Sequence, residues 1–428
     1  MFGPGIGGAM QQTTNYRVVL PFYLYASIFF LIGAGLLLLH TDVTETHYFN
    51  PYTLAITHTM ALGWGTMIIF GASHQLLPVM IEGKLSSDTL AYLTFGFAAI
   101  GIPILIYGFY IFHTGWVLQI GAILVNLAII FYLINVFRSS FRSKTRNIHS
   151  WFVLTATLWL FTTTFYGLLL VFNFSESILP KDSVSYLSIH AHIGIIGWFL
   201  LMVMGVGSRL IPMFLISKYT NDKNLWMIFG LVNGGLISFL LFRILGLTTS
   251  SYYLSVMLIL VGVILFGLHC KKAYDVRIRK SVDEQMKTSL LSVLQMLLPI
   301  LALVIILAFL PSGKHQNIAL LYGFCIFFGW ITAIILGMTF KTLPFIVWNK
   351  VYHKKAYKGK TPAPKELFSE KIYHAMLIAY LFGFLVFIVG VIILNNYLLK
   401  AGAVGLVIAS VLYVANTFKT FLHQPKKL

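Results

Sequence analysis

Charged residues are scarce in this chain of 428 residues. Asp, Glu, Lys and Arg together make up 10% of it, whereas 58% of the residues are apolar. Soluble globular proteins carry about 25% charged residues. The scarcity excludes a soluble enzyme, a disordered chain and a nucleic-acid-binding protein, even though the net charge is +18.

Cysteine is also rare, and Cys270 and Cys325 are the two in the sequence. So few cysteines exclude a disulfide scaffold and an iron–sulfur cluster, which is held by about four cysteine ligands. A c-type haem is excluded as well, because its attachment needs a Cys-x-x-Cys-His motif.

Apolar runs, in contrast, follow one another along the whole chain with almost no acidic residue inside them. A membrane helix needs about 20 residues, so twelve of them use about 240 residues and fit this length. We therefore predict an all-α membrane protein in which residues 1–428 form a single polytopic domain that contacts the lipid bilayer. The predicted spans are 17–40, 53–80, 88–112, 116–137, 150–173, 187–213, 225–247, 252–270, 289–311, 317–344, 372–394 and 400–418.

Lysine and arginine are distributed asymmetrically between the loops. The even-numbered connections carry clusters of them, such as those at 138–146 and 271–287, whereas the odd-numbered connections are nearly free of them. Basic residues accumulate on the cytoplasmic side of a membrane protein. The pattern predicts that both termini are cytoplasmic, and it explains the positive net charge without a nucleic-acid partner.

One motif occurs three times in the sequence. It reads Gly-Trp, six residues, Gly, six residues and Pro, and its tryptophans are Trp64, Trp198 and Trp330, which are 134 and 132 residues apart. A pattern that returns at a nearly constant spacing indicates an internal repeat. We predict three pseudo-symmetric units of four helices each. Their approximate bounds are residues 17–140, 150–280 and 289–420.

Two histidines occupy the same place relative to this motif. His58 and His192 each precede the tryptophan of their copy by six residues, and Phe324 takes that position in the third copy. Ionisable side chains are costly inside a membrane, so each one is a candidate for function. Neutral imidazole is the usual ligand of haem iron, copper and zinc, so the pair predicts a cofactor or metal site. Histidines that are hydrogen-bonded to neighbouring helices are the structural alternative.

His190 is a further candidate metal ligand. It precedes His192 by two residues, and a continuous helix points these two rings in different directions. We expect His190 to reach the same site only if the helix begins near Ala191. The residues of the motif expected to pack around the site are Gly63, Trp64, Gly197 and Trp198.

Acidic residues are missing from the interior of the predicted spans, since all 12 lie in loops or at helix ends. Proton pumps and many ion-coupled transporters place Asp or Glu within the membrane. A pump that depends on a buried acid is therefore not expected.

Twelve spans, a threefold repeat and histidines in spans 2 and 6 together resemble subunit I of the haem-copper oxidase superfamily, above all its cbb3-type and nitric-oxide-reductase branches. The resemblance implies the oxidase fold and a location in the bacterial inner membrane. It also implies that His58 matches the span-2 ligand of the low-spin haem, and that His192 or His190 matches the span-6 metal ligand. The family's histidines in spans 7 and 10 are absent here, so the complete dinuclear centre is not expected.

Two arrangements follow from the resemblance, and both stay open. In one, His58 and His192 clamp a single b-type haem that transfers electrons. In the other, His58 holds a five-coordinate haem and His190 or His192 holds copper, which leaves an iron position for a small diatomic gas.

Either arrangement predicts a membrane redox protein whose electrons come from a donor protein or a quinol. As an enzyme, it would be an oxidoreductase of the oxidase or nitric-oxide-reductase type, with catalytic residues that the sequence does not identify. The alternative functions are a cofactor-free transporter and an oxidase-like structural or assembly subunit.

Overall fold

The computed structural model of the chain describes residues 14–45, 47–143, 146–309, 316–352 and 361–425. Within these ranges the chain is helical and forms no β-strand. Twelve of the helices there are long and apolar enough to cross a membrane, which confirms the predicted all-α membrane architecture. Numbered α1 to α12 in chain order, they are Tyr16–Leu39, Pro51–Met80, Asp88–Tyr110, Trp116–Arg142, Ile148–Glu176, Ser183–Leu215, Asp222–Ile244, Thr249–Asp275, Glu284–Ala308, Asn317–Tyr352, Glu370–Ile393 and Asn396–Phe421.

The predicted ends of the spans agree with these helices to within five residues, except at α10. The predicted span 317–344 stops at Pro344, but α10 continues to Tyr352. A proline inside a helix removes one backbone hydrogen bond and strains the preceding turn, and it does not force the chain to stop. Pro344 is buried among the neighbouring helices, so tertiary packing keeps this stretch helical.

Polar residues fix where most of the helices begin. In each case an Asn, Asp or Ser side chain accepts a hydrogen bond from a backbone N–H two or three residues further on. Such N-caps satisfy donors that have no partner within the helix. The capping residues are Asn15, Asn50, Ser87, Asn147, Asp182, Asn221, Asp283, Ser369 and Asn395.

The three helices with the Gly-Trp motif occupy the centre of the bundle. In the most apolar stretches of α2, α6 and α10, 78%, 61% and 67% of the residues are buried. The corresponding share is 28–50% in the other spans of the described residues. Trp64, Trp198 and Trp330 are among the largest fully buried side chains. The other spans therefore surround a core of three motif-bearing helices.

Each central helix changes from α to π winding at its motif. The π-helical segments are Thr59–Thr66, Ile193–Leu200 and Cys325–Ile331. Such segments are rare and are frequently found at functional sites. All three copies of the motif therefore adopt the same unusual local structure.

Hydrogen bonds of the tryptophans join the central helices at this level. The Trp64 Nε1–H donates to Thr332 Oγ1 at 3.1 Å, and the Trp198 Nε1–H donates to Thr66 Oγ1 at 3.1 Å. Each threonine follows the tryptophan of its own copy by two residues, and Leu200 takes that position in α6. The motif thus links helices that are far apart in the sequence. The boundaries of the three repeats stay a prediction.

Consecutive outer helices pack as antiparallel hairpins, α3 with α4, α7 with α8 and α11 with α12. Glycines allow their backbones to approach closely, as is common between membrane helices. A Cβ at Gly121 would lie 2.7 Å from the Cα of Leu105, and a Cβ at Gly405 would lie 2.8 Å from the Cα of Gly383. Each hairpin is therefore a tightly packed unit against the central helices.

Candidate functional site

Two capped helix starts position the histidines. α2 begins at Pro51, and His58 is the last residue before its π-helical segment. α6 begins at Ser183, and His192 is the last residue before the corresponding segment. The two histidines therefore hold the same position relative to the change in winding.

Asp182 and Arg243 hold the first turn of α6. The Asp182 carboxylate accepts a hydrogen bond from the Ser185 N–H at 2.8 Å. This bond keeps the pKa of the Asp182 carboxyl below its usual value of 3.8, so the group stays negative at a helix N-terminus, where negative charge is favoured. From α7, the Arg243 guanidinium donates to the Ser185 carbonyl at 3.1 Å. The start of α6 thus carries one anionic and one cationic group.

A large cavity lies beside the histidine-bearing halves of α2 and α6. Its volume is about 950 Å³, which is within the range of sites for small molecules and cofactors. Its walls are mainly apolar, and Asp182 and Arg243 line one part of it. His58, His190 and His192 all line this cavity, so the structure places the three sequence-predicted ligands around one space.

The hydrogen bonds of the three imidazoles define their protonation. Nδ1 of His58 lies 2.8 Å from the Leu54 carbonyl, Nδ1 of His190 lies 3.1 Å from the Thr163 carbonyl, and Nδ1 of His192 lies 2.7 Å from the carbonyl of the residue four positions before it. A carbonyl only accepts, so Nδ1 donates and Nε2 carries the lone pair in each neutral ring. No described residue forms a hydrogen bond with any of these Nε2 atoms. In each ring, Nδ1 is therefore anchored to a backbone carbonyl, and the lone pair of Nε2 is available to bind a ligand or a metal.

His58 and His190 form the closest pair among these rings. Their ring centroids are 6.4 Å apart, and the ring planes differ by 22°. Two imidazoles bound to one metal through bonds of about 2.0–2.1 Å, with about 1 Å from each nitrogen to its ring centre, have centres about 6 Å apart. The distance between the ring centres of His58 and His190 is close to that value.

Residues of α3 and α5 lie against the two rings. The His58 ring stacks on Phe109 of α3, with centroids 4.5 Å apart and planes 23° apart. His190 lies against Gly167 of α5, where an added Cβ would come within 2.7 Å of the His190 Cε1 atom. The absence of a side chain at position 167 thus makes the space that the His190 ring occupies.

His192 lies in a different part of the cavity. Its ring centroid is 5.9 Å from that of Tyr322 in α10 and 4.9 Å from that of Phe239 in α7. Among the described rings, His58 contacts that of His190 and not that of His192. The geometry therefore favours His190, rather than His192, as the partner of His58.

The rings of His190 and His192 point towards different parts of the cavity, as expected for a continuous helix. α6 begins at Ser183, long before Ala191, and both His190 and His192 line the cavity. Residues two positions apart on a helix differ by about 200° in direction. Both rings reach the cavity because it extends around two sides of this part of α6, from α5 to α10.

The four packing residues of the motif lie mostly beside the cavity, not in its wall. A Cβ at Gly63 would overlap the ring of Phe29, and a Cβ at Gly197 would lie 2.6 Å from Trp159. Trp64 and Trp198 are fully buried, and Trp198 is the one of the four that lines the cavity. Within the described residues, these glycines and tryptophans pack the central helices against their neighbours.

Sequence reasoning missed the α5 side of the site. Thr163 and Gly167 position His190, and nothing in their types or spacing points to a cofactor. Tyr322 could have been recognised, because it precedes its motif tryptophan by eight residues, as His190 does in the second copy. An alignment of the three motif copies places Tyr322 at the position of His190 and so could have identified it.

The described residues contain no cluster of three or more His, Cys, Asp or Glu side chains that could hold a metal ion. A bare copper or zinc site usually has at least three protein ligands. The described residues therefore do not provide the usual ligand set of a bare copper or zinc site.

Comparisons with known proteins give no family for this chain. No protein-family model matches the sequence, and no curated protein matches it. The resemblance to oxidase subunit I thus remains a prediction from its residues.

Proposed function

We propose that this chain is an integral membrane redox protein that binds a b-type haem between α2 and α6, and that His58 and His190 are the residues that would hold its iron. The observation that carries the proposal is the pair of nearly parallel imidazoles with centroids 6.4 Å apart. Both rings donate through Nδ1 to a backbone carbonyl and leave Nε2 without a partner. Both also line the same cavity.

A haem fits this pair better than a bare metal ion does. A porphyrin supplies four nitrogen ligands, so two imidazoles complete the coordination of its iron. The mainly apolar walls and the volume of about 950 Å³ suit a flat, largely apolar cofactor. Arg243 adds a cation at the wall for the carboxylates of such a group. Copper at His190 or His192 stays a prediction for which the described residues offer no third ligand.

A haem held by two imidazoles supplies a one-electron couple and has no free position for a gas. The residues of the chain set the properties of that couple. The carbonyls of Leu54 and Thr163 accept from Nδ1 and so increase the basicity of the ligating nitrogens. The apolar walls exclude water and lower the local polarity, which is a further determinant of the reduction potential.

The proposal includes the oxidase-like architecture with its three repeats. Three π-helical segments at three copies of one motif support it, as do the hydrogen bonds from Trp64 and Trp198 to threonines of other copies. The basic connections support cytoplasmic termini, and a bacterial inner membrane is the corresponding location. The electron donor is proposed to be a protein or a quinol.

The test is the absorption spectrum of the protein purified in detergent, with identification of the haem as its pyridine complex. We expect a Soret band of low-spin haem b, and its loss in both His58→Leu and His190→Leu. His374→Leu is the matched control, because that histidine is exposed on α11. His192→Leu is expected to keep the band.

Two outcomes would contradict the proposal. A colourless protein without metal would favour a cofactor-free transporter or an assembly subunit. A Soret band that persists in His190→Leu but disappears in His192→Leu would return the haem to the pair His58 and His192. Metal analysis of the same samples separates haem iron from copper.

A further inference from the structure

The part of the cavity around His192 is not used by the proposed haem ligands. His192 and Tyr322 face each other there, with centroids 5.9 Å apart and planes 26° apart. Phe239 lies 4.9 Å from His192 on another side. These three side chains come from α6, α10 and α7, and all of them line the cavity.

Two polar atoms in this region have no partner among the described residues. One is Nε2 of His192, whose Nδ1 is already bonded to a backbone carbonyl. The other is the hydroxyl of Tyr322, which has both a hydrogen to donate and lone pairs to accept. Polar atoms in an apolar space are expected to be hydrogen-bonded. An acceptor and a hydroxyl that both lack a partner point to a ligand with hydroxyl groups.

The surroundings of these two atoms are mainly apolar, although the Ser188 hydroxyl lies 3.5 Å from Nδ1 of His192 and Thr249, Tyr252 and Ser255 of α8 also line the cavity. Phe324 occupies the position that a histidine holds in the other two motif copies. The wall continues along the outer helices α8 and α9 with aliphatic side chains. These are Val256, Ile259, Leu303, Ile306 and Leu307. A ligand of this region therefore combines a small polar head with a long apolar part.

We propose that this region, which we call the His192 pocket, binds the head group of a lipophilic hydroquinone. One hydroxyl of the head group donates to Nε2 of His192, and Tyr322 bonds to an oxygen of the same ring. The aromatic head lies near Phe239, and the aliphatic tail follows the apolar walls of α8 and α9. Binding depends on the pocket alone, whereas the role of the hydroquinone as electron donor rests on the proposed haem.

The pocket lies close to the proposed haem ligand. His192 and His190 are two residues apart on α6, and both line one cavity. A hydroquinone at His192 and a haem at His190 would therefore be neighbours. This arrangement would give a quinol a defined place beside the proposed haem.

The experiment is a fluorescence titration of the purified protein with 2-heptyl-4-hydroxyquinoline N-oxide, a fluorescent analogue of quinols. We expect saturable quenching, about tenfold weaker binding in His192→Leu and a decrease of several-fold in Tyr322→Phe, as for the loss of single hydrogen bonds. Tyr322→Phe removes only a hydroxyl without a partner, so its folding should be unchanged. His58→Leu is expected to lose the Soret band and keep the affinity for the analogue.

The outcomes for the two proposals can be separated. Binding that is absent, or equal in the original protein, His192→Leu and Tyr322→Phe, overturns the quinol pocket whatever the haem spectrum shows. Loss of the Soret band in His192→Leu also overturns it, because His192 is then a haem ligand. A protein without haem that binds the analogue through His192 supports the pocket and contradicts the haem.

Discussion

Gly167 offers the sharpest test of the proposed haem ligands, because it contacts His190 and is not itself a ligand. A Cβ at this position would lie 2.7 Å from Cε1, 3.3 Å from Nδ1 and 3.6 Å from Nε2 of the imidazole. Ordinary contacts between carbon atoms begin at about 3.5 Å, so the ring must move by about 0.8 Å in Gly167→Ala. The hydrogen bond from Nδ1 to Thr163 is already 3.1 Å long and would not survive that shift.

We therefore expect Gly167→Ala to remove His190 from the iron while His58 remains. Disturbing the support of a metal ligand typically lowers affinity by about 10–100-fold. The remaining haem should become five-coordinate and high-spin and should bind carbon monoxide, which the original protein should not. Absorption spectra with and without carbon monoxide, together with a haem titration, measure both effects.

The matched control is Gly96→Ala in α3, where an added Cβ meets no atom within 4 Å. It makes the same chemical change, and alanine is a better helix former than glycine by about 1 kcal/mol. Its spectrum should therefore be that of the original protein. A low-spin spectrum and an unchanged haem affinity in Gly167→Ala would refute the assignment of His190.

Two further predictions concern stability. Thr332→Val removes the acceptor of the Trp64 Nε1–H and should destabilise the protein by about 1–3 kcal/mol, since it leaves a buried donor unpaired. Unfolding in detergent measures this loss of stability. Thr94→Val is the control, because the Thr94 hydroxyl bonds only to the Leu90 carbonyl of its own helix. An equal loss of stability in the two variants would contradict the link between helices. Asp182→Ala should lower the melting temperature at neutral pH. The pKa of Asp182 is lowered in the folded protein, so its contribution is present above pH 3.8 and is lost as the pH falls through the lower folded value. Melting temperatures across this range check the sign, and a difference that grows on acidification would contradict it.

The sequence was sufficient for the membrane architecture. Apolar runs of about 20 residues and the scarcity of charge predicted twelve spans, and twelve helices agree with them within the described residues. The end of α10 was missed because the effect of Pro344 depends on packing that the local sequence does not contain. The start of α6 was predicted at residue 187, four residues late, because the capping role of Asp182 was not used.

The site was predictable only in part. The repeated motif identified His58 and His192 as candidates, and His190 was kept as a third. The pairing of His58 with His190 depends on how far the cavity extends around α6, which is set by α5 and Gly167. Helical periodicity gives the direction of a side chain from its own axis, and it does not give the shape of the space beside that axis.

The π winding beside the histidines has a consequence for how this site can change during evolution. A π turn holds an extra residue compared with an α turn, and one residue corresponds to a rotation of about 100° around the helix axis. Loss of a single residue from Thr59–Thr66 would therefore turn His58 towards a different neighbour while the inner half of α2 kept its packing. The orientation of the two histidines can thus be changed by chain length, independently of the repeated tryptophans and glycines beneath them.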